Sequence, residues 1–144
     1  MVEIVQLKES SEQAVADISN LLRQLREDPA EHQASVKELK EITDDKNVVC
    51  VVAKEEGHIV GMATLYMITK FSKRVGFIED VVVDSGQRGK GLGQKIMEHL
   101  IAIARTEKIK TLHLTSRPER TAGNALYQKL GFEIKQTNPY RLKL

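Results

Sequence analysis

The stretch GFIEDVVVDSGQRGKGLG, residues 76–93, joins an apolar run to a polar turn and to the start of a second apolar segment. Residues 76–84 are apolar on both faces, which is typical of a central strand. Beyond the turn, Leu92, Ile96 and Leu100 recur at helical spacing over 92–105. The stretch therefore predicts a strand, a glycine-rich turn and a helix in direct succession.

The turn QRGKGLG, residues 87–93, holds three glycines and two cations in seven residues. The first N–H groups of a helix have no partner within the helix, and the helix dipole attracts an anion to them. Glycines let a bulky anion approach the backbone, and Arg88 and Lys90 add positive charge. The turn predicts a diphosphate site made by the amides of 88–93; a turn that only reverses the chain is the alternative.

Two common phosphate-binding patterns do not fit this turn. The Walker pattern requires glycine where Asp84 stands and Ser or Thr where Gly91 stands. The dinucleotide pattern G-x-G-x-x-G, started at Gly89, requires glycine where Gln94 stands.

The rest of the chain extends this unit into one mixed α/β domain over residues 1–144. Ser10 or Ser11 is the expected cap of the first helix, Pro29 its stop, and Gly131 the end of the last helix. The predicted order is β-α-α-β-β-β-α-β-α-β-β, with strands at 2–7, 47–54, 58–68, 76–84, 110–116, 132–137 and 139–144, and helices at 12–26, 31–42, 92–105 and 121–130.

Composition and charge narrow the class of protein. The longest apolar run, VVCVVA at 48–53, is far shorter than a membrane span, and the N-terminus does not look like a signal peptide, so we expect a cytoplasmic protein. Cys50 lies in that run, where a buried hydrophobe is the expected role. Residues 1–72 carry 8 Lys+Arg and 13 Asp+Glu, whereas residues 73–144 carry 14 and 7. This asymmetry fits an anionic ligand in the second half, and the spread of the cations argues against nucleic acid.

Two motifs connect the chain to a family. Arg88-Gly-Lys-Gly91-Leu-Gly93 fits the Arg/Gln-x-x-Gly-x-Gly/Ala signature of the GNAT superfamily of N-acetyltransferases, and NALYQKLGF at 124–132 resembles that family's second conserved block. The resemblance is close over 76–132 and covers the first half in element order only. It implies a GNAT fold with splayed central strands and acetyl-CoA as cosubstrate, and it allows a homodimer. The compact chain favours a small-molecule amine as the acceptor, and we expect no metal.

The resemblance also assigns roles to residues. It implies that the Tyr127 phenol protonates the leaving thiolate; a half-buried tyrosine on an amphipathic helix is the alternative. Many members contact CoA through an Asn seven residues before the tyrosine, where this chain has Arg120; here Asn124 stands three residues before it. The implied CoA contacts are the backbone of Val81, Val82 and Val83, the turn residues Arg88, Gly89, Lys90, Gly91, Leu92 and Gly93, and Asn124.

Glu79 is the candidate base. A carboxylate among apolar neighbours on a central strand is costly unless it is used or paired, and burial would raise its pKa toward a useful range. Strand alternation predicts that Asp80 lies on the opposite face; a salt-bridged strand carboxylate is the alternative role for Glu79. The stretch IEDVVVD is similar to the glucosamine-6-phosphate N-acetyltransferases, which carry a Glu-Asp pair at this place.

The acceptor stays open at this point. Loops 27–33 and 69–75 are the expected acceptor loops, and Arg117 and Arg120 are either ligands of an anionic group or plain loop cations. The four histidines, His32 among them, show no metal-ligand spacing. An enzyme acting on a protein or peptide amine and a non-catalytic acyl-CoA sensor are the alternative functions. An interaction module without CoA would leave the glycine turn unexplained.

Overall fold

Five strands form one sheet in the order β1-β2-β3-β4-β5 in the computed structural model, which describes residues 1–26 and 33–144. Neighbouring strands are antiparallel except β4 and β5, which are parallel. The mixed α/β class is therefore confirmed. The elements in chain order are β1 (Val2–Gln6), α1 (Glu12–Leu25), α2 (Val36–Asp44), β2 (Val48–Glu55), β3 (His58–Lys70), β4 (Lys73–Val83), α3 (Leu92–Thr106), β5 (Leu112–His113) and α4 (Thr121–Lys129).

Serine caps decide where the first two helices begin. The hydroxyl oxygen of Ser11 accepts the N–H of Ala14 at 3.1 Å, which makes Ser11 rather than Ser10 the cap of α1. Ser35 caps α2 in the same way through the N–H of Glu38 at 3.1 Å, so α2 begins later than predicted. Residues 27–32, with Pro29, His32 and most of the expected acceptor loop 27–33, lie outside the described residues.

Helices cover both faces of the sheet and divide the aliphatic core into two layers. On the α3 face, Ile96, Met97 and Leu100 pack against alternate residues of β2 and β3. On the α1/α2 face, Leu21 and Leu39 pack against the intervening residues, Cys50 among them. Burial of Cys50 agrees with its predicted role as a small hydrophobe.

Strands β4 and β5 separate soon after they meet. They pair only at Gly76 with Leu112 and at Phe77 with His113, so residues 78–83 of β4 have no strand partner on the β5 side. The strand expected at 110–116 is reduced to two residues for the same reason. The second half of β4 therefore presents an open backbone edge, as the splayed strands of the GNAT fold require.

The two closing strands expected at 132–137 and 139–144 are absent, and that part of the prediction is wrong. Residues 132–144 form neither helix nor strand, and every residue from 133 to 144 is exposed. The alternation of apolar and polar side chains is present in this segment, but alternation stabilises a strand only when a sheet edge receives its hydrogen bonds. The start of the segment is held by the N–H of Phe132, which donates to the Tyr127 carbonyl at 2.9 Å.

Gly76 allows the short contact between β4 and β5, and this generates a stability prediction. A Cβ at residue 76 would lie 2.7 Å from Cδ1 of Leu65 and 2.8 Å from Cδ2 of Leu112. We expect Gly76→Val to lower the free energy of unfolding by about 1–3 kcal/mol through overpacking, as measured by urea denaturation. The control is Gly123→Ala, where a Cβ in helix α4 approaches nothing closer than 3.8 Å and stability should hold or rise. Equal stability of Gly76→Val and the parent protein would contradict this packing.

Candidate functional site

A β-bulge in β4 interrupts the alternation of its side chains. Thr64 of β3 pairs with Glu79 and Met62 pairs with Val82, so Asp80 and Val81 together oppose a single residue, Ala63. Asp80 has φ of 53°, a left-handed conformation that is uncommon for a residue other than glycine. A bulge of this kind redirects the side chains that follow it.

The bulge brings the two carboxylates to one face of the sheet. Ile78 packs on the α3 face, whereas Val82, four residues later, packs on the α1/α2 face. Simple alternation would put both on one face, so one residue has been added between them. Glu79, next to Ile78, and Asp80, which lines a cavity beneath α1 and α2, therefore share the α1/α2 face. The prediction that Asp80 lies opposite Glu79 is wrong.

The two carboxylates have different partners. One terminal nitrogen of Arg26, at the end of α1, lies 2.6 Å from Oδ1 of Asp80 in an ion pair. Glu79 is exposed, but partial burial of its carboxyl group raises its pKa, the charge of Asp80 raises that pKa further, and the charge of Arg26 lowers it. A raised pKa makes the Glu79 carboxylate a better proton acceptor than an ordinary glutamate.

A cavity of about 240 Å³ lies between the two N-terminal helices and the sheet. Burial raises the pKa of Tyr66 in its wall, and the negative charges of Asp80 and Glu79 also contribute, so this phenol stays protonated at neutral pH. Burial raises the pKa of the Cys50 thiol to about 11, which makes it a poor nucleophile. The lining residues are Ile18, Leu22, Arg26, Gln33, Ala34, Glu38, Leu39, Ile42, Cys50, Met62, Thr64, Tyr66 and Asp80.

The glycine turn presents an uncapped helix end at the open end of β4. Gly91 is the N-cap of α3 with φ of 76°, and no side chain bonds to the first amides of that helix. Gly89 also has a positive φ, 82°. Arg88 Nε donates to the Val83 carbonyl at 3.2 Å, and Lys90 Nζ donates to Gln87 Oε1 at 3.0 Å. The Leu92 side chain is buried, so its contribution to a site is limited to its backbone.

The end of β4, the glycine turn and α4 meet at Gly93. A Cβ at residue 93 would lie 3.8 Å from Cγ2 of Val83 and 3.4 Å from Cδ2 of Leu126. Tyr127 follows Leu126, and its ring meets that of Phe132 edge to face at 6.0 Å between centroids. Burial raises the pKa of Tyr127 and the charge of Arg120 lowers it.

Glu79 and Tyr127 approach β4 from opposite faces of the sheet. Tyr127 packs against the α3-face core, whereas Glu79 is on the α1/α2 face. Among the described residues, no hydrogen bond, ion pair or ring contact joins the two side chains. The open edge of residues 78–83 lies between them, so a ligand running along this edge could reach both.

The side chains of Asn124 and Arg120 both donate to backbone carbonyls. The Asn124 side-chain nitrogen donates to the carbonyls of Arg117 and Pro118 at 3.0 and 3.4 Å. A terminal nitrogen of Arg120 donates to the Leu25 carbonyl at 2.7 Å and so ties the start of α4 to the end of α1. Any CoA contact of Asn124 would have to use its remaining side-chain oxygen or its backbone.

Sequence reasoning missed a contact that joins α1 to the glycine turn. The side-chain nitrogen of Gln24 donates to Oδ1 of Asp84 at 2.7 Å, and its oxygen accepts the N–H of Ser85 at 2.9 Å. Arg26 and Tyr66 were missed as well. Each of these residues acquires its role from a partner far away in the chain, which no local pattern indicates.

Residues 1–26 and 33–144 contain neither a cluster of metal-binding side chains nor a membrane-spanning helix. No group of three or more His, Cys, Asp or Glu side chains is arranged to hold a metal ion there. Within the same ranges, no helix combines the length and apolar character needed to span a bilayer.

Comparison with known proteins identifies relatives of this arrangement. A model of the acetyltransferase (GNAT) family matches residues 15–132. An L-2,4-diaminobutyric acid acetyltransferase of Halalkalibacterium halodurans is 39% identical over 84 residues, which are 58% of this chain and 44% of that protein. A glucosamine 6-phosphate N-acetyltransferase of Trypanosoma brucei brucei is 36% identical over 107 residues, which are 69% and 71% of the two chains. The chain thus spans less than half the length of the first relative.

Solved structures share the fold. A crystal structure of a Trypanosoma brucei acetyltransferase superposes with a TM-score of 0.81 at 32% identity and covers 100% of both chains. An aminoglycoside acetyltransferase from an uncultured soil metagenomic sample superposes with a TM-score of 0.87, covering 99% of this chain and 96% of that one. Its identity of 18% supports the fold alone.

The neighbourhood of Glu79 generates a titration prediction. Asp80→Asn removes the negative charge that raises the pKa of Glu79 and ends the ion pair between Arg26 and residue 80, and both changes favour the ionised form of Glu79. The pKa of Glu79 should therefore fall, as followed by carbon NMR of the carboxyl groups across pH. Asp44→Asn removes a carboxylate from an exposed ion pair on α2; it is the control and should leave the pKa of Glu79 unchanged. An unchanged or higher pKa in Asp80→Asn would contradict the shared face.

Proposed function

Because the chain belongs to the acetyltransferase (GNAT) family, we propose that it is an acetyl-CoA-dependent N-acetyltransferase that passes the acetyl group directly to the amine of a small molecule. The observation that carries this proposal is the uncapped N-terminus of α3, which lies directly beyond the open edge of β4. An anion-binding helix end and an unpaired strand edge in series match the two ends of CoA, a diphosphate and an amide-containing arm.

The chain's own residues fit the donor in two places. The amides of 88–93, with Arg88 and Lys90 beside them, would hold the pyrophosphate, and the positive φ of Gly89 and Gly91 keeps the backbone bare there. The backbone of Val81, Val82 and Val83 would hydrogen-bond the pantetheine arm in place of the missing strand partner. When bound, acetyl-CoA supplies an acetyl thioester at the opening between β4 and β5.

Glu79 would act as the general base. An amine must lose its ammonium proton before its nitrogen can attack a carbonyl carbon, and Glu79 has the raised pKa that suits a proton acceptor. Asp80 fits a supporting role, since Arg26 already engages its carboxylate at 2.6 Å. The proton would pass from the amine to Glu79 directly or through one water molecule.

Tyr127 would act as the general acid. Its raised pKa keeps the phenol protonated at neutral pH, so it can donate to a thiolate as the carbon–sulfur bond breaks. Glu79 takes the ammonium proton, and the neutral nitrogen bonds to the acetyl carbon as the carbon–sulfur bond breaks. The phenol proton of Tyr127 goes to sulfur, and the nitrogen releases its second proton to solvent to give the neutral amide. Bulk solvent then returns a proton to Tyr127 and removes one from Glu79.

The relatives support a small-molecule acceptor. Two of them are acetyltransferases of L-2,4-diaminobutyric acid and of glucosamine 6-phosphate, both small amines. The cytoplasmic location, the single domain over 1–144 and the homodimer allowed by the resemblance stay predictions.

The glycine turn can be tested by ligand-induced stabilisation. Acetyl-CoA at a hundredfold excess over its Kd should stabilise the parent protein by about 2.7 kcal/mol, seen as a rise in Tm by scanning fluorimetry. Gly91→Asp should abolish this rise, since it places bulk and negative charge where phosphate would sit. Gly57→Asp is the matched control, because Gly57 also has a positive φ and open space around it but lies in the β2–β3 turn. If acetyl-CoA raises the Tm of Gly91→Asp as much as that of the parent protein, the diphosphate binds elsewhere.

The role of Tyr127 can be separated from cofactor binding. Tyr127→Phe should lower kcat by roughly 10²-fold, the usual size of a general-acid effect, while the acetyl-CoA thermal shift persists. Thiol release is the measurement, and Tyr140→Phe in the exposed C-terminal segment is the control. If Tyr127→Phe turns over like the parent protein, the acid is another group. Thermal stabilisation by acetyl-CoA with no thiol release from any amine would favour the sensor alternative.

A further inference from the structure

The side chains that line the cavity beneath α1 and α2 indicate the chemical class of the acceptor. This inference rests on the proposed function. The cavity borders Asp80, which shares a face with Glu79, so an amine poised to give its proton to Glu79 would extend its remaining atoms into this space. Its volume of about 240 Å³ suits a small molecule. The lining therefore bears on the chemistry of the acceptor beyond its reacting amine.

The charge of the lining disfavours a phosphate. Among the described residues that line the cavity, Arg26 is the one cation, and its guanidinium is 2.6 Å from Oδ1 of Asp80. A phosphate that recruited Arg26 would separate it from Asp80 and leave a partly buried carboxylate without its partner. The same phosphate would face the negative charges of Asp80 and Glu38, which both line the cavity.

The arginines near α4 do not change this balance. The guanidinium of Arg120 donates to the Leu25 carbonyl at 2.7 Å. Neither Arg117 nor Arg120 is among the residues that line the cavity. The cations that sequence analysis linked to an anionic acceptor group are thus not part of this wall.

The opposite wall of the cavity favours a hydrocarbon chain. Methylene groups packed against this wall would gain from burial. The uncharged hydrogen-bonding side chains of the lining, Gln33, Thr64 and Tyr66, are too few to satisfy every hydroxyl group of a buried sugar ring. The side chains that form this apolar wall are Ile18, Leu22, Leu39, Ile42 and Met62.

Glu38 contributes a negative charge to the part of the lining that α2 forms. Glu38, in the first turn of α2, lines the cavity, and its Oε1 accepts the hydroxyl of Ser35 at 2.8 Å, which orients the carboxylate. Asp80 and Glu38 therefore provide negative charge from the sheet and from α2, and the rest of the lining combines apolar side chains with Arg26 and the polar side chains of Gln33, Thr64 and Tyr66. This pattern complements a short carbon chain with positive charge at both ends.

We propose that the acceptor is an unphosphorylated aliphatic amine with a second cationic group, such as a short diamine, whose reacting nitrogen lies at Glu79 and whose second cation lies near Glu38. One ammonium loses its proton to Glu79 and its nitrogen takes the acetyl group, while the other stays charged. The product keeps one positive charge and loses the other.

The test compares amines that differ in one feature, using the full chain and acetyl-CoA in a thiol-release assay. We expect kcat/KM for 1,4-diaminobutane to exceed that for butylamine and that for glucosamine 6-phosphate by about tenfold or more. Glu38→Gln should lower kcat/KM for 1,4-diaminobutane about tenfold more than for butylamine. Glu41→Gln, an exposed carboxylate on the same helix outside the lining, is the matched control and should change neither value.

The outcomes separate this inference from the proposed function. A preference for glucosamine 6-phosphate, or an equal loss for both amines in Glu38→Gln, overturns the acceptor class and leaves the N-acetyltransferase standing. Acetyl-CoA binding without thiol release from any of these amines also overturns the acceptor class. Absence of both a thermal shift and thiol release overturns the proposed function and this inference together.

Discussion

The candidate site depends on the short pairing of β4 with β5. Two parallel strands that stayed paired would bury the edge of β4, and no ligand could reach its backbone. Here the pairing ends at Phe77, and residues 78–83 retain unpaired groups on one edge. Gly76 makes the close contact possible at the point just before the strands separate, because a side chain there would meet Leu65 and Leu112. The opening between β4 and β5 therefore forms because β4 is tightly packed at Gly76 and unpaired over residues 78–83.

The bulge at Asp80 determines what lines this opening. One extra residue turns a Glu-Asp pair from opposite faces to the same face, where Arg26 engages one carboxylate and the other has a raised pKa. A neighbouring negative charge favours the protonated form of a carboxyl group, so the charge of Asp80 contributes to the raised pKa of Glu79. The same bulge leaves Val81 and Val83 on the α3 face, toward α4 and Tyr127. Groups from two faces of the sheet are thereby available to one ligand.

Side-chain contacts join the three parts of the site to one another. Gln24 connects α1 to the start of the glycine turn, and Arg120 connects α1 to the start of α4. Both contacts lie at the end of α1, next to the segment that leads to α2 and the cavity. The end of α1 is thus in direct contact with the cofactor side and with the acid side of the proposed reaction centre. Such contacts fix relative positions more than they add stability, since one hydrogen bond within a protein contributes only about 0.5–1.5 kcal/mol net.

Local patterns in the chain were enough to indicate the fold class, the strands and helices up to α4, and the glycine turn, since each rests on residues close together in sequence. Apolar periodicity in α3 and the missing Cβ atoms of Gly89 and Gly91 are examples. Tertiary structure alone decided the face of Asp80, the partners of Arg26 and Arg120, and the failure of 132–144 to form strands. The physical reason is that each of these features depends on residues far apart in the chain. The bulge is defined by the register of β3 with β4, and the ion pair joins residues 54 positions apart. A strand forms only where the edge of a sheet accepts its hydrogen bonds.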